Sequence, residues 1–236
     1  MTLFGNTGRS ICLAIALFLA ACAGTTYTSF DETNENKLGL VRSVGFELDP
    51  AYRNAFPDCV IVMPATTTSA LTRLAPLVEA SLAHHMTRKV SRVIGPRARK
   101  IAALQKSLDL DDPGDQDELA NSLDCGAFLL PFISGAGQRN LLVWSQVQIA
   151  LEVRMVRSGD RQVLWKARHI AERSGGGLPL SPVGIAVNAF TSARFSIDFR
   201  DVTVSVIEDA VRRIVQSLPD ARVYFDERGT NMGSKG

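Results

Sequence analysis

The chain has 236 residues, of which 21% are charged, and a formal net charge of +2. A nucleic-acid-binding surface needs an excess of basic side chains, so this near balance argues against nucleic acid as a partner. The length is sufficient for one domain with a buried core.

The first 21 residues have the layout of a secretory signal. Arg9 supplies positive charge, residues 11–19 are apolar, and Ala20 and Ala21 are small. Because the apolar run is shorter than the ~20 residues of a membrane-spanning helix, we predict that residues 1–21 are a cleaved signal peptide.

The tetrad Leu19-Ala20-Ala21-Cys22 resembles a bacterial lipobox. The resemblance implies that the Cys22 thiol is alkylated by a diacylglycerol, that the chain is cut before it, and that the new amine is acylated. Each buried methylene contributes about 0.8 kcal/mol, so several acyl chains anchor a domain to a membrane. In lipoproteins of this kind, Asp directly after the cysteine favours retention in the inner membrane. Ala23 occupies that position here, so the resemblance implies the outer membrane. Ordinary secretion with an incidental cysteine is the alternative.

The mature chain, residues 22–236, divides by composition. Residues 22–37 are polar and predict a flexible tether, and residues 226–236 predict a disordered tail. Residues 38–225 are then one periplasmic domain.

The first half of this domain predicts strands joined by helices. Residues 59–63 form an apolar run stopped by Pro64, which is typical of a buried strand. Helical periodicity follows over 70–90. We then predict a short strand, two helices and a second apolar strand, at residues 92–95, 97–108, 112–123 and 126–134.

The second half predicts an antiparallel hairpin. Residues 145–156 alternate apolar and polar side chains, a turn follows at 158–160, and residues 162–171 return. A glycine-rich loop spans 174–184, and a last helix ends at Pro219. The sequence therefore predicts an α/β fold: a single, three-layer-like domain with helices flanking a mixed sheet of parallel strands and a C-terminal antiparallel hairpin.

Candidate metal sites are weak. His84 and His85 are helical neighbours that point about 100° apart, and His169 lies on another element. The acidic stretch from Asp109 resembles a calcium loop, but Pro113 and Ala120 occupy ligand positions. Asp112 is better explained as the N-cap of a helix that begins at Pro113.

Candidate catalytic motifs are also weak. Gly175-Gly176-Gly177 is not followed by the Lys of a phosphate-binding loop, and Ser181 is not in a nucleophile elbow. We therefore expect no metal, no cofactor and no catalytic residue. A periplasmic hydrolase remains as the alternative from another class of protein.

Three stretches resemble one family. They are VIVMPATTTSA at 60–70, CGAFLLPFIS at 125–134 and RSGDRQVLWKA at 157–167. They resemble CsgG-like and LpoB-like envelope lipoproteins, whose relatives include PelC-like lipoproteins of exopolysaccharide export, over about residues 57–218. Phe128 stands where the family usually has aspartate, and Ala65 where phenylalanine is common.

The resemblance implies a non-catalytic scaffold or interaction module, facing the periplasm and assembled with a secretion, polysaccharide-export or envelope machine. It also implies a possible homo-oligomer. An activator of a peptidoglycan synthase is the alternative. The surfaces expected to contact partners are the polar strand face (Gln146, Gln148, Glu152 and Arg154) and the glycine-rich loop.

Once the signal peptide is removed and Cys22 carries lipid, two cysteines remain, Cys59 and Cys125. In an oxidising compartment an even number of free thiols favours a disulfide. Each precedes an apolar strand, and in CsgG-like folds these two strands are parallel neighbours. The resemblance therefore implies a Cys59–Cys125 disulfide. A pair of buried free thiols is the alternative.

Substitution of Cys22 tests the lipobox. Cys22→Ala is expected to abolish acylation, because no other thiol occupies the cleavage site, and to leave the precursor uncleaved or the domain unanchored. Mass analysis of the mature N-terminus measures this. Cys12→Ala, which changes the other cysteine of the signal segment, is the matched control and should remain acylated. An unmodified Cys22 at the wild-type N-terminus would contradict the prediction.

Overall fold

A computed structural model of the chain describes residues 25–30, 43–54, 56–141, 144–176 and 199–220. The predicted signal peptide, Cys22 and the C-terminal tail lie outside these residues, as does the glycine-rich loop from residue 177 to 184. Within the described ranges, no helix combines the length and apolar character needed to cross a membrane.

The strands form one mixed sheet. They are β1 (Thr26–Ser29), β2 (Ser43–Leu48), β3 (Cys59–Val62), β4 (Thr66–Thr67), β5 (Arg92–Ile94), β6 (Ala127–Leu141), β7 (Trp144–Arg157) and β8 (Val163–Gly176). Their order is β1-β2-β8-β7-β6-β3-β5, and β4 also pairs with β6. β3 is parallel to β5 and β6, whereas β6, β7, β8 and β2 are successively antiparallel. The predicted α/β class with a mixed sheet is confirmed, and so is the parallel pairing of β3 with β6.

Within the described residues, five helices flank this sheet. They are α1 (Pro50–Asn54), α2 (Ala75–Met86, after a 3-10 turn at Ser69–Leu74), α3 (Pro96–Lys106), α4 (Pro113–Ser122) and α5 (Phe199–Gln216). The predicted cap of α4 is confirmed, because the Asp112 side chain accepts a hydrogen bond of 3.0 Å from the backbone N–H of Asp115.

The larger hydrophobic core lies between α2, α5 and one face of the sheet. Leu82 of α2 and Val211 of α5 are fully buried there with Leu151 of β7. A smaller core on the opposite face packs α4, through Leu119, against Ile61 and neighbouring residues of β3 and β6. The helices thus cover one face broadly and the other only around β3.

A buried ion pair fixes the end of β3. Arg99 of α3 donates to Glu79 of α2 at 2.8 Å and also to the backbone carbonyl of Val62. Glu79 in turn accepts from the backbone N–H of Ala65 at 3.0 Å. Because a buried charge needs a partner, these contacts hold α2, α3 and the chain after β3 in a single arrangement.

The N-terminal region differs from the sequence-based expectation. Residues 26–29, which fall inside the predicted tether of residues 22–37, form β1 and pair with β2. β2 itself was not among the predicted strands. The pairing is made by backbone groups and therefore requires no apolar alternation in β1.

The hairpin strands are also longer than predicted. β6 continues to Leu141 and β8 to Gly176, beyond the predicted ends at residues 134 and 171. The register between β6 and β7 shifts between Ile133 and Gly135, where a bulge lets the pairing continue.

Candidate functional site

The alternation along β7 separates a buried face from an open one. Ile149, Leu151 and Val153 are at most 1% exposed and face the larger core. The intervening side chains point to the opposite face of the sheet. The structure therefore places the predicted contact residues Gln146, Gln148, Glu152 and Arg154 together on that face.

Neighbouring strands extend this surface. Arg154 lies between Leu130 of β6 and Lys166 of β8, and the next row places Glu152 between Phe132 and Arg168. We call this surface the outer face. Its residues are Glu47, Leu130, Phe132, Gln146, Gln148, Ala150, Glu152, Arg154, Lys166, Arg168, Ile170 and Glu172.

Charged side chains on the outer face pair with one another. Arg154 donates to Glu152 at 2.7 Å, and Lys166 lies 2.8 Å from Glu47. The Arg154 side chain is 55% exposed. Exposed pairs of this kind each contribute at most about 1 kcal/mol, so a partner's charges could replace them at little cost.

Two large apolar side chains interrupt these charges. Phe132 is 42% exposed and Ile170 is 52% exposed. One depression of about 260 Å³ lies beside them, against Gly135, Gln148 and Ala150. A second, of about 450 Å³, lies at the other end of the outer face and is lined by residues from β2, β7 and β8 together with Phe30. Apolar side chains bordered by charges and recesses are typical of protein–protein contact surfaces.

Phe30, the residue directly after β1, lies at one border of this surface. The Phe30 ring lies 4.4 Å from the Lys166 ammonium and 4.3 Å from the Arg168 guanidinium. Contacts between cations and aromatic rings hold Phe30 over β8.

The residues of the outer face that the sequence predicts all lie on β7, and those on β8 were not predicted. The signal was present, because Lys166, Arg168, Ile170 and Glu172 recur at every second position of β8. The contributions of Glu47 and Phe132 depend on strand order and could not be read from periodicity.

Phe128, which stands where the resembled family usually has aspartate, contacts the turn between β7 and β8. Phe128 is fully buried, and the Arg161 guanidinium lies 4.8 Å from its ring centre. Arg161 also donates to Gln116 and Asp117 of α4 at 2.8 Å. An aromatic ring at position 128 thus supports a contact between the turn and α4.

Cys59 and Cys125 lie side by side. Their Cα atoms are 4.8 Å apart and their sulfur atoms are within bonding distance. Cys59 begins β3, and Cys125 lies two residues before β6, the parallel neighbour of β3. The separation falls within the range that a disulfide requires. Cys22 lies outside the described residues.

His169 lies apart from the neighbouring pair His84 and His85. His85 bonds to Glu208 at 2.8 Å, and His84 is exposed beside it. His169 is buried under α5, where its Nδ1 lies 2.7 Å from the Ser43 carbonyl and therefore donates to it. The described part of the chain contains no group of three or more His, Cys, Asp or Glu side chains placed to bind a metal.

Burial changes the protonation of His169. It lowers the pKa of His169 below the ordinary 6.5, against the hydrogen bond to Ser43, which raises that pKa. Arg213 lowers it further and Asp209 opposes that effect. His169 is therefore held as the neutral imidazole.

Comparisons with known proteins give similarity of fold. No family model matches the chain, and no curated protein matches it. Among solved structures, a PelC dodecamer from Paraburkholderia phytofirmans has 14% identity and a TM-score of 0.42, with 72% of this chain and 96% of that chain covered.

Two further structures are a lipoprotein and a domain of LpoB. GNA1162 from Neisseria meningitidis has 15% identity and a TM-score of 0.39, over 61% of this chain and 99% of that one. The C-terminal domain of LpoB from Salmonella enterica has 14% identity and a TM-score of 0.30, over 48% and 81%. The resemblance to envelope lipoproteins holds at the level of the fold, and at these scores it carries no argument about function.

The cysteine geometry generates a stability prediction. A Cys59–Cys125 bond closes a loop with a sequence separation of 66. Reduction is therefore expected to lower the free energy of unfolding by about 4 kcal/mol in the chain-entropy model. Urea unfolding with and without reductant measures this, and the Cys59→Ala/Cys125→Ala double variant should behave like the reduced protein. Free alkylation of both thiols in the unfolded, unreduced chain would contradict the bond.

The buried histidine generates a pH prediction. Because the pKa of His169 is lower in the folded chain, the unfolded chain binds more protons below about pH 6.5, and the free energy of unfolding falls as the pH decreases through that range. His169→Asn keeps a donor towards Ser43 and is expected to weaken this dependence. Urea unfolding at pH 7.5 and 5.5 measures it. The exposed His84→Asn variant is the control, and equal slopes in both variants would contradict the assignment.

Proposed function

We propose that this chain is a lipid-anchored periplasmic protein of the outer membrane, and that its domain is a non-catalytic interaction module for a secretion, polysaccharide-export or envelope-assembly machine. The lipobox at Leu19–Cys22 supports the anchor. The outer face, where Phe132 and Ile170 are exposed among exchangeable ion pairs, is the observation that carries the interaction role.

The charge pattern of the outer face favours a protein over a polyanion. Arg154 and Lys166 are each matched by a carboxylate, Glu152 and Glu47, so the surface has no unbalanced row of cations. A protein surface carrying both charge signs and an apolar centre fits this pattern, because partner groups can take over each half of an ion pair. The same surface would also serve the alternative role, an activator of a peptidoglycan synthase, with a different partner protein.

Site-specific photocrosslinking in cells tests the proposal. A photoreactive amino acid replaces Phe132 or Ile170 on the outer face, and replaces Leu104 of α3 as the control, since Leu104 is 69% exposed and apolar but is not part of the outer face. We expect adducts of defined mass from the first two positions only. Arg154→Glu should reduce their yield several-fold, because it turns an ion pair into a repulsion with Glu152.

The identity of the adduct separates the clients. An export or secretion component supports the leading proposal, a peptidoglycan synthase supports the activator, and an adduct of the chain with itself supports a homo-oligomer built through the outer face. Equal adducts from Leu104 and Phe132, or none from either outer-face position, would contradict the assignment of this surface.

A further inference from the structure

The ring of Phe30 lies on the outer face, away from the strand that leads to it. Phe30 directly follows β1, which is an edge strand beside β2. Its ring nevertheless contacts the Lys166 ammonium and the Arg168 guanidinium of β8, which is two strands from β1 in the sheet order. Phe30 therefore covers part of the surface to which the interaction role is assigned.

The two cations, and not the hydrophobic core, hold this ring. Among the described residues, Phe30 belongs to neither of the two hydrophobic clusters. Tyr27 of the same segment is fixed differently, because it packs against Phe46 and donates to Gln216 of α5 at 3.2 Å. Contacts between a cation and an aromatic ring are weak at exposed sites. A ring from another molecule could therefore replace the ring of Phe30.

The position of Phe30 divides the outer face. The depression of about 450 Å³ is lined by Phe30 together with residues of β2, β7 and β8. Lys166, Arg168 and Ile170 follow one another at alternate positions of β8, so their side chains lie in one row. The Phe30 ring lies over the first two of these residues, between the depression and the exposed Ile170. A partner that follows this row of β8 therefore meets Phe30.

The charges beneath the ring favour an aromatic group over an acidic one. Lys166 already lies 2.8 Å from the Glu47 carboxylate, and Glu152 stands opposite Arg168 in the register of β7 and β8. A further carboxylate would compete with these acidic side chains. An aromatic ring attracts both cations through its face and leaves their carboxylate neighbours in place.

We infer that the outer face recognises an aromatic side chain of its partner over Lys166 and Arg168, at the place that Phe30 fills in the free protein. Phe30 is then an internal competitor for this place. Aromatic side chains are enriched in the centres of protein interfaces, which agrees with such a contact. The inference rests on the proposed interaction role of the outer face, and it names the chemistry of the partner group.

Competition by Phe30 has a measurable consequence. Because the site is available only while the ring is turned away, the apparent affinity for an outside ring falls by the fraction of time that Phe30 covers the cations. Removal of the ring should therefore strengthen binding about two- to fivefold, as expected for a contact of this kind at an exposed site.

An NMR titration with N-acetyl-tryptophanamide, which has an aromatic ring and no charge, tests the inference. The probe is added to the mature chain, residues 22–236, and the backbone amide signals of Lys166 and Arg168 are followed. Phe30→Ala should bind the probe about two- to fivefold more tightly than the wild type. Phe30→Tyr keeps a ring and should match the wild type. N-acetyl-leucinamide, which lacks a ring, should give no saturable shift.

Phe30→Leu is a second variant, which keeps apolar bulk without a ring and should behave like Phe30→Ala. Lys166→Met, introduced into the Phe30→Ala chain, should weaken binding of the probe because it removes one cation. Equal affinity of the wild type and both ring-free variants, or no saturable shift at Lys166 and Arg168, would overturn the inference. The titration contains no partner protein, so its failure counts against this inference alone. The photocrosslinking at Phe132 and Ile170 tests the interaction role separately.

Discussion

The antiparallel register of β6, β7 and β8 is the constraint on which the rest of this structure depends. It places Leu151 and its alternate neighbours under α2 and α5, and it places Glu152 and Arg154 on the open side. Because side chains alternate between faces, a shift of one residue would bury the charged set and expose the apolar set. The large free-energy penalty of burying those charges holds the register, and the register in turn creates the outer face.

Helix α5 connects this sheet to the N-terminal region. Its Arg213 is buried and donates to Asp209 and Thr25, and its neighbour His169 donates to Ser43 at the start of β2. Although burial raises the pKa of Asp209, hydrogen bonds from Arg213 and Arg212 outweigh it and keep the pKa below its usual range. One helix therefore covers the core and also fixes the two strands nearest to the proposed anchor. A substitution in α5 would therefore affect both the core of the sheet and the N-terminal strand β1.

Sequence alone predicts the elements whose pattern is local. The apolar run of β3, the helical repeat of α2, the Asp112 cap and the alternation of β7 each follow from neighbouring residues, and each is confirmed. β2 could also have been found, because Val44, Phe46 and Leu48 alternate with Gly45 and Glu47. β1 could not, since Thr26–Ser29 is ordered by backbone pairing with β2 and by side chains of α5, which are distant in sequence. The outer face was predicted only in part for the same reason. The periodicity of β7 is local, whereas the placement of Phe132 and Glu47 depends on the order of the strands.

The ordered N-terminal segment is the central claim of this account, since Thr26–Ser29 forms a strand of the sheet inside the stretch that the sequence predicts to be a flexible tether. Hydrogen–deuterium exchange of the mature chain in solution tests it most directly, at the backbone amides of Tyr27, Thr28 and Ser29. The account predicts that these amides exchange slowly, at rates of the same order as those of β2, and that Arg213→Ala accelerates them. Exchange at the rate of an unstructured peptide in the wild type would contradict the account.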